Sequence, residues 1–112
     1  MSAWADLASS GAQLFTSDAV LGETVTLFAR TFGNRAAADL GRLLLTSSAL
    51  TVLRRTTVDD SSALDDLERF HDSGVGFTDC TSFVIMRRAG IRLAFSIDRR
   101  HFGMAGFEIF PA

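Results

Sequence analysis

Lysine and tyrosine are absent from this sequence, and cysteine and proline occur once each. No apolar run approaches the roughly 20 residues needed to cross a bilayer. One thiol, Cys80, cannot build a disulfide framework and suits a reducing compartment. A single proline, nine glycines and 47% hydrophobic residues exclude a disordered chain and leave enough apolar material for a core. The opening "MSAWADLASS" lacks a basic segment and carries Asp6 early, so no secretory signal is expected. Repeats, low-complexity tracts and linkers are missing as well. Together these absences predict a soluble, cytoplasmic protein without membrane association, folded as one domain over its 112 residues, 1–112.

What is present is unevenly charged. All eleven basic residues are arginines, which reads first as composition bias. Residues 1–68 carry five arginines against nine acids, a net −4, whereas residues 69–101 carry six against three aspartates, a net +3. The positive part holds Arg87, Arg88, Arg92, Arg99 and Arg100. Solvated surface and helix-end charge is the commoner origin of such a block. The sharper alternative is a phosphate-facing patch, since arginine forks match phosphate oxygens.

The local pattern alternates helices and strands. Residues 2–10 read as a short helix broken at Gly11, and "AQLFTS" as a strand. Ser17 or Asp18 can cap the next helix, along which Leu21, Val25, Phe28 and Phe32 form an apolar stripe. "FGN" at 32–34 ends it; a further helix runs from about Arg35 to Thr46, and "LTVLRRTT" is β-rich. Ser62 and Asp65 fit a capping box opening a helix that continues to about His71. "SGVGF" is a loop, and Thr78 can cap the helix starting at Asp79. Phe83 to Met86 are apolar on every side of a turn, so this helix should be buried. Arg87 and Arg88 suit its last turn and Gly90 its left-handed close. "IRLAFSI" is a nearly continuous apolar strand ending at Asp98, and "FEIF" is a short last strand. The class is α/β with a mostly parallel sheet, in which ligands gather at the carboxyl ends of strands.

Three acids stand out. Asp79 opens a helix, where its charge alone stabilises by about 0.3–1 kcal/mol through the dipole. Asp98 follows a strand directly, although aspartates are common in loops for local hydrogen bonding. Glu23 points away from the apolar stripe of its helix, yet Val20 and Leu27 flank it at seven-residue spacing, which indicates a second contact face. Carboxylates brought within about 4–6 Å repel, and a divalent cation is the usual reason a fold keeps them together. Cys80 reads as a small buried apolar residue rather than a nucleophile. His71 and His101 lack metal-pair spacing, and "SGVGF" lacks the lysine of a phosphate loop.

"GFTDCTSFVIMRRAGIRLAFSIDRRHFGMAGFEIF", residues 76–110, resembles the C-terminal half of a PIN domain: an aspartate opening a buried helix, an apolar strand, an S-x-D element and a short last strand. "SDAVLGETVTLFAR", residues 17–30, resembles the glutamate-bearing helix of that family. The resemblance implies a three-layer α/β/α fold and a metal-dependent ribonuclease, often a VapC-type toxin paired with a small antitoxin protein. It places Glu23, Asp79 and Asp98 as catalytic residues and as ligands of Mg²⁺ or Mn²⁺, with Thr78 in support and Arg99 and Arg100 beside the RNA. It also implies a homodimer. The family begins with a central strand ending in a further catalytic aspartate, which is not found here; Asp6 lies in an alanine-rich helical stretch. The strands at 12–17 and 92–97 should then lack their shared neighbour, and this shortened chain can be inactive. The alternative is a non-catalytic PIN-like module for dimerisation or antitoxin binding; an unrelated small-molecule α/β domain is a third reading.

Overall fold

Strand and helix signals translate into nine elements in the computed structural model, which describes residues 13–95 and 99–110. In chain order these are β1 (Leu14–Ser17), α1 (Asp18–Phe32), α2 (Asn34–Thr46), β2 (Leu50–Leu53), α3 (Thr57–Arg69), α4 (Phe77–Ala89), β3 (Leu93–Phe95), α5 (Arg99–Met104) and β4 (Glu108–Phe110). The helix expected at 2–10, Asp6 and Asp98 lie outside the described residues.

Strand pairing is parallel throughout, as an α/β chain requires. β1 pairs with β2, Leu14 opposite Leu50 through Ser17 opposite Leu53. β3 pairs with β4, Leu93 opposite Glu108 through Phe95 opposite Phe110. Among the described residues these remain two separate two-stranded sheets. Among the described residues no strand joins β1 to β3.

Capping decides the helix starts. Ser17 caps α1 by accepting the Val20 amide at 3.1 Å. α3 begins five residues before the serine box at Ser62 and Asp65: Thr56 accepts the Asp59 amide at 3.2 Å while Asp59 accepts the Thr56 amide at 2.8 Å. Two boxes were available, and the earlier one closes because Asp59 is buried there. α4 starts at Phe77, with Gly76 rather than Thr78 at its cap. Phe77 packs against the core, and that draws the helix start ahead of Thr78. Gly90 closes α4 in the left-handed conformation at φ 73°. α5 is a helix the local pattern did not announce; it is short, and its Phe102 packs on the core.

The core centres on the fully buried Phe83, clustered with Ala63, Val75 and Cys80. Phe102 and Phe70 meet the Phe83 ring edge-on, at 5.1 and 6.5 Å between centroids, and Phe107 lies tilted at 5.8 Å. Edge-on rings add roughly 0.5–1.5 kcal/mol beyond the area they bury. α4 is thereby gripped on one face by α3 and α5, and its other face is free to line a cleft.

Candidate active site

A cleft of about 540 Å³ opens between the two sheets. On one side it meets Phe15, Thr16 and Ser17 of β1, and on the other Leu93 and Ala94 of β3. α1 contributes Val20, Glu23, Thr24 and Leu27, an i, i+3, i+4, i+7 set that forms one helix face. This is the second contact face that the spacing of Val20 and Leu27 indicated. α4 contributes Thr78, Asp79, Ser82, Ile85 and Met86, again one face.

Glu23 and Asp79 therefore come from different helices onto one cleft. Glu23 is exposed and Asp79 half-buried. Asp79 occupies the third position of α4, in the first turn, where the helix dipole favours negative charge. α1 follows β1 directly, at the edge where α/β proteins place ligands, and α4 begins after the loop that follows α3. The acidic side chains are hard oxygen donors, of the kind that suit Mg²⁺ or Mn²⁺ rather than a soft metal. Among the described residues no three His, Cys, Asp or Glu side chains gather into a metal-holding group. The cleft offers two carboxylates, and Asp98 lies outside the described residues.

No family model matches the chain. Two proteins of Mycobacterium tuberculosis, from strains CDC 1551 and H37Rv, are each named 23S rRNA-specific endonuclease VapC20. They are 38% identical to this chain over 106 residues, covering 93% of it and 79% of each relative. The crystal structure of M. tuberculosis VapC20, described as a sarcin-ricin loop cleaving toxin, superposes with a TM-score of 0.80 at 36% identity. That superposition covers 91% of this chain and 78% of the VapC20 chain. The chain belongs to the VapC family of PIN-domain proteins.

Two arginines of the positive block, Arg87 and Arg88, are engaged within the fold. Arg88 forks onto the buried Asp59, with Nε to Oδ1 at 3.0 Å and Nη2 to Oδ2 at 2.9 Å, and also donates to the Arg54 carbonyl at 3.1 Å. Arg87 pairs with the buried Asp66 and donates from Nε to the Phe83 carbonyl at 3.2 Å. Burial alone would push the Asp59 carboxyl up, but the Thr56 amide and the Arg88 guanidinium hold it below the usual carboxylate range. These two arginines clamp α4 to α3. Arg100 is exposed on α5, and the Arg99 side chain lies outside the described residues.

The remaining candidates fall to structural roles. Cys80 is fully buried, and burial, with the charges of Asp66 and Asp79, pushes its thiol up, so it is no nucleophile. His101 Nε2 lies 3.1 Å from the Ser73 carbonyl oxygen, and His71 pairs with Asp72 at the surface. Sequence reasoning missed Thr24 and Ser82, which line the cleft. Ser82 sits one helical turn beyond Asp79, a spacing that could have revealed it. Its Oγ donates to the Thr78 carbonyl at 3.3 Å, as Thr81 Oγ1 does at 2.6 Å. These hydroxyl contacts brace the first turn of α4, where Asp79 stands.

Proposed function

We propose that this chain is a PIN-type endoribonuclease and the toxin of a toxin–antitoxin pair, with its site at Glu23, Asp79 and Asp98. The observation that carries the reading is the convergence of Glu23 and Asp79 on one cleft between β1 and β3. Glu23, Asp79 and Asp98 would hold Mg²⁺ or Mn²⁺ through carboxylate oxygens. A bound divalent cation there lowers the pKa of a water and offsets charge on a phosphodiester. The chain's own residues do the positioning: the first turn of α4 holds Asp79 on the cleft. Arg99 and Arg100 would lie along the RNA backbone. Structured ribosomal RNA is the first substrate class to test, given what the relatives are named for. A small antitoxin protein, a homodimeric state and a cytoplasmic location belong to the same reading.

The test is degradation of an RNA panel that includes 23S rRNA. Mg²⁺- or Mn²⁺-dependent cleavage that Asp79→Asn abolishes is the expected result. A second reading, a non-catalytic PIN-like interaction module, is favoured by the two-carboxylate cleft and the divided sheet. Absence of cleavage on every substrate, metal and chain length would select it.

A further inference from the structure

We infer that Arg88 is a positioning residue of the proposed metal site, a role that rests on Glu23 and Asp79 acting as ligands there: from the far end of α4 it fixes Asp79 relative to Glu23. A line of hydrogen bonds runs from Arg88 to the start of α1. Arg88 forks onto Asp59 at 3.0 and 2.9 Å and donates through Nη2 to the Arg54 carbonyl at 3.1 Å. The next amide along, that of Arg55, donates to Oδ2 of Asp18 at 3.4 Å. Oδ1 of Asp18 accepts the Ala19 amide at 2.9 Å, in the first turn of α1. The end of α4, the turn after β2 and the beginning of the helix that bears Glu23 are thus tied together. The tie borders the cleft. Ser17 and Leu53, the residues just before Asp18 and Arg54, are register partners, and both line it.

The lever is α4 itself. Asp79 and Arg88 stand nine positions apart, roughly 14 Å along a helix axis, and the fully buried Phe83 lies between them. A helix held at its middle and released at one end tilts, and the tilt displaces the other end. Arg88 resists this with three N–H donors in a rigid planar fork, two of them on a carboxylate that is itself buried. Arg87 has the same charge one position earlier but reaches elsewhere. Its carboxylate partner is Asp66 in the body of α3, and its Nε donates to the Phe83 carbonyl of its own helix. Neither contact reaches β2 or α1. The two arginines therefore separate the clamping of α4 onto α3, which both perform, from the link to the Glu23 helix, which Arg88 alone makes among these two.

The test is calorimetric titration of Mn²⁺ into the parent chain, Arg88→Gln and Arg87→Gln, with folding of each checked by circular dichroism and urea unfolding. Either substitution deletes a positive charge, which by itself tightens the binding of a cation. Positioning demands the opposite sign, and for Arg88 alone. Mn²⁺ affinity is expected to fall about tenfold in Arg88→Gln, the lower end of what losing a ligand-orienting partner costs, and not to fall in Arg87→Gln. Hydrogen exchange supplies a metal-free readout: the Arg55 and Ala19 amides should exchange faster in Arg88→Gln and at the parent's rate in Arg87→Gln. If Arg88→Gln is too unstable to titrate, Arg88→Lys keeps the charge, loses the fork and is expected to weaken Mn²⁺ binding in the same direction. Affinity in the Arg88 variant equal to or above that of the parent, or equal losses in the Arg87 and Arg88 variants, would overturn the inference and leave the metal site standing. No Mn²⁺ binding by the parent would overturn the site itself, and the role of Arg88 with it.

Discussion

Asp79 joins two roles in one carboxylate. In the first turn of α4 it meets the positive end of the helix dipole, and it lines the cleft with Glu23. A purely structural aspartate would leave the protein indifferent to divalent cations. Under the proposed function Mg²⁺ or Mn²⁺ raises the melting temperature, because a ligand of the folded state alone stabilises it. Asp79→Asn and Asp98→Asn should each remove that rise; equal metal affinity in both variants and the parent, by calorimetric titration, would rule the site out. Arg88 shows a different limit of sequence. Its place at a helix end was legible, but its partner Asp59 lies 29 residues earlier, and no local period announces such a pair. Arg88→Ala leaves the carboxylate of Asp59 buried and should cost about 2 kcal/mol in urea unfolding, below the ~3–5 kcal/mol of a fully enclosed pair because half of Arg88 remains in water. The Asp59 carboxyl titrates lower in the folded than in the unfolded chain. Its contribution is therefore complete above the ordinary carboxylate range and lost as pH falls through the lowered folded value. The variant should accordingly lose less stability on acidification than the parent does.

Elements were easier to read than their ends. α1 was visible from its apolar spacing and cap, and α4 from its dense apolar run, although Gly76 and not Thr78 caps it. The parallel character of the strands followed from their alternation with helices. The start of α3 was misplaced because both Thr56–Asp59 and Ser62–Asp65 satisfy the same capping pattern. Only the burial of Asp59 against Arg88 separates them, and that is a tertiary fact. α5 was missed because six residues cannot carry a helical period, and its place is fixed by Phe102 against Phe83. Gly90, by contrast, was legible as the close of α4. An added Cβ there meets nothing within 4 Å, so any penalty is one of backbone conformation alone. Gly90→Ala should therefore destabilise by about 1 kcal/mol, the cost of a left-handed alanine, whereas Gly90→Asn should cost measurably less in the same denaturant titration. Equal stability of parent and alanine variant would mean that α4 ends otherwise in solution.

At the scale of the whole molecule, the PIN resemblance anticipated the two sheet halves, but composition and periodicity could not, since a strand pattern does not name its neighbours. Glu23 and Asp79 were legible as candidates; that they share a cleft was not, because 56 positions of chain separate them. The divided sheet bears on assembly. Phe32, Leu43 and Leu45 of α1 and α2 are each more than half exposed, and large exposed apolar side chains mark contact surfaces when they cluster. A dimer or larger assembly is expected at tens of micromolar, roughly where weak interfaces form, and a clean monomer by light scattering would count against it. The divided sheet bears equally on catalysis. Two ions about 3.5–4 Å apart need several carboxylates to hold them, and the cleft of the described residues supplies two. Under the proposed function, with Asp98 as a third, one ion would be held well and a second weakly, and a misplacement of about 1 Å at the attacking water can cost a hundredfold in rate. The 112 residues by themselves should thus cleave RNA slowly or not at all. A chain extended at its N-terminus by an apolar strand ending in aspartate should fill the cleft, join the two ladders and add a further carboxylate. Its Mg²⁺-dependent cleavage should exceed that of the shorter chain by about a hundredfold or more, and Asp79→Asn should abolish it. Robust cleavage by the 112 residues alone would show that another carboxylate, from a second copy or from outside the described residues, already completes the site.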